Sequence, residues 1–167
     1  MNKNAFFGLL VIVLAFGFIG CEDPDSSSNW WTWMDTASSA NISFTPNPSD
    51  SGGTVVVTGT ANSISDNWRT QLLYGYNAVG GKTYSVSFSI QAIDNNFENV
   101  VIRIAQRSDN VNDPLLFSQI LTISTEGGPV SDTFTLPPGN YENNFTFMVG
   151  SDTGSFRIWD MKILQID

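Results

Sequence analysis

The sequence predicts an all-β fold, a sandwich or barrel of about ten short strands with almost no helix. Three observations predict it. The first is strict period-two alternation over Thr83–Ile93, where Tyr84, Val86, Phe88, Ile90 and Ala92 alternate with Ser85, Ser87, Ser89 and Gln91. The second is the lack of any sustained 3.6-residue period, which a helix needs in order to bury one face. The third is the regular spacing of turn signals: Pro46-Asn47-Pro48, Gly80-Gly81, Asp94-Asn95-Asn96, Glu126-Gly127-Gly128-Pro129 and Pro137-Pro138-Gly139.

Taken in order, the strands begin with Trp30–Trp33. Pleating puts Trp31 and Trp33 on one face and Trp30 and Thr32 on the other, and tryptophans at this position suit the core of a sandwich. Asn41–Phe44 is a short strand stopped by the Pro46 turn. Thr54–Thr60 is a strand by β-branching. Trp68–Tyr74 follows, with Trp68 and Leu72 on one face and Arg69 and Gln71 on the other. It adjoins Thr83–Ile93, so that the two strands together present a polar surface of Arg, Gln and Ser. Asn99–Gln106 carries Val100, Ile102 and Ile104 inward and Arg103 outward. Phe117–Ile123, Val130–Leu136 and Phe145–Val149 are the next three. The final strand, Ser155–Ile166, breaks phase: Phe156 and Ile158 have one parity, Met161 and Ile163 the other. A β-bulge at Trp159-Asp160 keeps all four in the core.

The N-terminus reads differently. Lys3 precedes an apolar run from Ala5 to Ile19 that is too short to span a bilayer and ends at Gly20-Cys21. This resembles a bacterial lipobox and implies a signal peptide over 1–20, lipidation of Cys21, and a place in the cell envelope, at the outer membrane or cell surface. Residues 21–29, acidic and serine-rich, form a tether, and the β-sandwich domain occupies 30–167.

Composition excludes several functions. Cys21 is the only cysteine, so the domain has no disulfide; there is no histidine, the commonest general base and transition-metal ligand. The formal net charge is −9, and without Lys3 six basic side chains face sixteen acidic ones. Such a domain repels nucleic acid and anionic lipid but is indifferent to a neutral ligand. A glycosidase needs only two carboxylates, yet most acids here fall in turns. Asp109–Asp113 offers oxygen ligands but lacks the glycine and terminal glutamate of an EF-hand loop and reads as a solvated loop. The chain is therefore expected not to be an enzyme.

Trp68-x-x-Gln71-Leu72, followed by Gly81-Lys82-Thr83-Tyr84-Ser85-Val86-Ser87-Phe88, resembles the core signature of carbohydrate-binding modules of families 4, 9 and 22. Val100-x-Ile102-x-Ile104, Phe145-x-Phe147-x-Val149 and the closing strand continue the pattern. The resemblance implies a galactose-binding-like jelly roll that binds a polysaccharide or oligosaccharide. It also implies a structural calcium near the closing strand, with Asp160 at the acidic position and Asp35 as candidate partner; no other cofactor is expected. Sugar recognition takes flat aromatic faces and planar hydrogen-bonding groups. Trp68, Tyr74 and Tyr76 with Arg69, Gln71, Gln91 and Arg103 are the candidates. Trp68 also fits the core, and the polar four also fit a solvated face. The expected function is non-catalytic binding of a neutral β-linked polysaccharide in a cleft on one sheet. The alternative is a structural or adhesive lipoprotein that uses the sandwich to contact envelope proteins.

Overall fold

The computed structural model describes residues 29–105, 115–141 and 143–167. The expected signal peptide, Cys21, the expected tether up to residue 28 and the loop 109–114 lie outside them. Ten strands form: β1 (Trp30–Met34), β2 (Ala40–Asn47), β3 (Gly52–Gly59), β4 (Thr70–Gly75), β5 (Thr83–Ala92), β6 (Phe97–Ala105), β7 (Leu115–Ile123), β8 (Gly128–Thr135), β9 (Asn144–Met148) and β10 (Gly154–Gln165). The helix among these residues is of the 3-10 type, Ile64–Arg69.

The strands make two antiparallel five-stranded sheets. Sheet I runs β1-β4-β9-β6-β7 and sheet II runs β2-β3-β10-β5-β8. They pack face to face as a jelly-roll sandwich. The aromatic residues selected by the pleat fill the space between them. Trp30 meets Tyr74 edge-on with ring centroids 4.7 Å apart. Phe88 meets Phe147 at 5.4 Å, and Phe97 meets Phe156 at 5.1 Å. Such pairs add about 0.5–1.5 kcal/mol each beyond their buried area.

β4 and β5 are not neighbours. β4 pairs with β1 and β9 in sheet I, whereas β5 pairs with β8 and β10 in sheet II. The connection between them crosses the sandwich, with Tyr84 Oη accepting from the Val79 amide at 2.7 Å and donating to the Asn77 carbonyl. The expected shared polar surface of these two strands is therefore split between opposite faces of the molecule. Two turn prolines also behave differently from expectation. Pro46 lies inside β2, opposite Gly53, and Pro129 lies inside β8, opposite Ser89. Both strands are sheet edges, where a missing N–H breaks no ladder bond.

The bulge in β10 is present. Trp159 pairs with Ser89 and Lys162 with Ser87, so β10 spends one extra residue there. Asp160 takes a left-handed conformation, φ +55°, and its N–H donates to the Asp50 carbonyl at 2.8 Å. The phase shift leaves Phe156, Ile158 and Met161 buried and Ile163 packed on the core. The hairpin turn between β2 and β3 lies across this bulge. A Cβ on Gly52 would fall onto the carbonyl oxygen of Ile158 and close to Cα of Trp159. Gly52→Ala is expected to force the hairpin off β10 and cost about 1–3 kcal/mol, read as a lower urea midpoint with an unchanged slope.

Candidate functional site

Direct cross-strand partners share a face, so the register of sheet I fixes which side chains point away from the core. One row contains Trp33, Gln71, Met148, Val101 and Ile120; the next contains Trp31, Leu73, Thr146 and Arg103. The middle of this outer face is little exposed. Gln71, Leu73, Thr146 and Met148 are only 2–7% exposed, although Trp30, Leu72, Tyr74, Phe145 and Phe147 occupy the core side of the same strands. The edge strand β1 rises beside this floor with Trp31 and Trp33 43% and 41% exposed.

The 3-10 turn supplies a third indole. Trp68 stands 37% exposed and stacks on Trp33, with centroids 6.3 Å apart and planes 22° from parallel. Trp31 leans the other way, toward Gly75. The three indoles thus stand as a ledge along one side of the floor, Trp33 and Trp68 stacked and Trp31 two residues along β1. Arg69 braces it. Its guanidinium carbon lies 4.7 Å from the Trp68 ring centroid, and the same group is held by Asp35 at 2.7 Å and Asp66 at 3.3 Å. Burial opposes the charge of Arg69, but the hydrogen bonds to the two carboxylates outweigh it and raise the guanidinium pKa. Asp66 is held below the usual carboxylate range chiefly by the Ser63 hydroxyl, which donates to it at 2.8 Å, and further by Arg69. Gln71 reaches back along the chain and donates through Nε2 to the Trp68 carbonyl at 2.6 Å, tying the floor to the ledge. Thr146 Oγ1 donates to Asn144 Oδ1 at 2.9 Å.

Of the seven predicted sugar-binding residues, the structure brings four to this face: Trp68, Arg69, Gln71 and Arg103. Trp68 arrives there from the 3-10 turn and not from a strand, so it does not share the face of Leu72. Tyr74 and Tyr76 are not surface platforms. Tyr74 is a core residue against Trp30, because the parity that turns Gln71 outward turns Tyr74 inward. Tyr76 is half-buried edge-on to Tyr84 and Phe134, and burial pushes its hydroxyl pKa well up. Gln91 lies on sheet II, exposed, donating to the Thr125 carbonyl at 2.8 Å.

Trp31 and Trp33 are the residues sequence reasoning placed in the core and the structure places outside. Their shared parity was legible; Trp30 fills the interior position instead. The two candidate calcium ligands do not meet. Asp35 follows β1 at the end where the Ile42 amide donates to Met34 Sδ, and its carboxylate serves Arg69. Asp160 sits at the opposite end, near Ser51, whose carbonyl accepts from Trp30 Nε1. Among the described residues no three acidic, histidine or cysteine side chains gather to hold an ion. Asp35 and Asp160 therefore do not hold one calcium ion between them.

No protein-family model matches the chain, and no curated protein does. Solved structures do match it in fold. A module described as "CBM4 structure and function" superposes with a TM-score of 0.66 at 18% identity, covering 89% of this chain and 93% of its own. A family 11 carbohydrate-binding module from Clostridium thermocellum, in complex with a β-1,3-1,4-mixed-linked tetrasaccharide, has a TM-score of 0.55 at 16% identity, covering 81% and 88%. A xylan-binding domain of the CBM22-1 type from Paenibacillus barcinonensis has a TM-score of 0.55 at 6% identity, covering 84% and 88%. The fold of this chain is that of carbohydrate-binding modules.

Proposed function

We propose that the protein binds a neutral β-linked polysaccharide across the outer face of sheet I, without catalysis, while tethered to a bacterial envelope through Cys21. The observation that carries this reading is the ledge of Trp31, Trp33 and Trp68 beside the little-exposed floor of Gln71, Leu73, Thr146 and Met148. Sugar rings present C–H faces that stack on indoles and a rim of hydroxyls that both donate and accept. The ledge offers the first surface, and Arg103, half-buried in the row of the same face that holds Thr146, offers hydrogen-bond donors for the second. The fold supports the reading, since its structural neighbours include modules solved with or described by their glycans. The carboxylates that reach the ledge through Arg69, Asp35 and Asp66, are both engaged by that guanidinium, which leaves neither free as the acid or base of a hydrolase. Tethering rests on the apolar run that ends at Cys21.

Affinity gels cast with xylan, mixed-linkage glucan, laminarin or mannan test this. One polymer should retard the protein. Trp33→Ala and Trp68→Ala should each weaken retention about tenfold or more, as the loss of a buried aromatic anchor does. Tyr74→Ala should destabilise the fold by about 3–5 kcal/mol through its cavity and is a stability control. A folded protein that no polymer retards would refute the proposal and turn attention to protein contacts. Arg69→Ala should release Trp68 and lower affinity severalfold, read in the same gels. Equal retention of Arg69→Ala and the parent would show that the brace is not needed.

A further inference from the structure

The outer face of sheet II carries a second feature that the ledge does not use. Around the β10 bulge, two rows cross β8, β5 and β10: Ser131, Ser87 and Lys162 in one, Pro129, Ser89 and Trp159 in the other. A shallow hollow opens here, lined by the three serines, Pro129, Lys162 and the bulge residue Asp160. The bulge explains it. The extra residue re-aims Asp160 beside Lys162, while the short serine side chains leave depth between Lys162 and the Pro129 edge. Among the described residues, none of the side chains of Ser87, Ser89, Ser131, Asp160 and Lys162 is committed to an ion pair or hydrogen bond within the protein. That contrasts with Arg157 on the same strand, which pairs with Asp50 and packs over Trp159.

We propose that this hollow is a second saccharide site, taking a single neutral sugar unit such as a chain end or side branch. The donor set matches a ring of adjacent hydroxyls. Lys162 donates, Asp160 accepts, and each serine does either, so vicinal hydroxyls find a partner of each sense. One positive and one negative group leave the hollow without a net preference for a charged ligand. Pro129, which lines the hollow, gives the apolar border that a sugar C–H face needs. The hollow opens on the opposite face of the sandwich from the tryptophan ledge, so both sites fill at once and one molecule bridges two glycan strands.

The test is a 15N–1H titration of the protein with methyl glycosides of glucose, galactose, xylose and mannose. One of them should move the amides of Ser87, Ser89, Ser131 and Lys162, equally in the parent and in Trp33→Ala. Lys162→Ala should weaken that response about tenfold, and Ser87→Tyr, a good strand former that fills the hollow, should abolish it without moving sheet I signals. Shifts confined to sheet I would overturn the second site and leave the first reading intact. Sheet II shifts indifferent to both variants would overturn it as well. Silence on both sheets with glycosides, alongside retention in the polysaccharide gels, would refute the hollow alone.

Discussion

Trp30 turns inward against Tyr74, Phe44 and Phe147, and the outer face of sheet I follows from that one placement. A strand alternates sides residue by residue, so an interior Trp30 obliges Trp31 and Trp33 to leave the core on the other side. Their register against Leu73 and Gln71 then carries the constraint across β4 to β9 and β6. Slipping β1 by one residue would bury the two outer indoles and expose Trp30, exchanging ledge for core. The observed register is the one that seats Trp30 against Tyr74, Phe44 and Phe147.

Much of the architecture could be read from the chain. The alternation from Tyr84 to Ala92 and the β-branched run around Val55 and Val57 gave their strands directly. The phase break between Ile158 and Met161 located the bulge, because apolar residues of opposite parity cannot share a core along a regular strand. What the chain did not disclose was pairing. Trp68–Tyr74 and Thr83–Ile93 are close in sequence, and proximity suggests a hairpin, but the intervening segment crosses the sandwich and puts them in different sheets. Gln91 therefore left the candidate site. Tyr74 and Tyr76 left it because aromatic character alone does not distinguish a platform from a core ring. Trp31 and Trp33 entered because the sequence gives relative parity and not the identity of the buried side. Trp68, a candidate from the sequence, stays at the site by a route that strand periodicity does not cover, a 3-10 turn on which Arg69, held by Asp35 and Asp66, packs against its ring.

The two sheets divide the work. Sheet I combines rigid aromatics on an edge strand with polar side chains on central strands, where backbone pairing on both sides holds them still. Sheet II devotes its central strand β10 to joining β3 and β5, and the bulge that reconciles its core phase also shapes its surface. Both surfaces are by-products of burying the same aromatic core. Neither depends on the acidic excess of the chain, which fits a ligand without charge.

The five indole N–H resonances offer the most direct test of the central claim, that sheet I is the saccharide face. Titrating the protein with oligosaccharides of the polymer that retards it should move the signals of Trp31, Trp33 and Trp68 together, with one affinity, and leave the buried Trp30 in place. Binding that leaves the three ledge indoles unmoved would contradict the account.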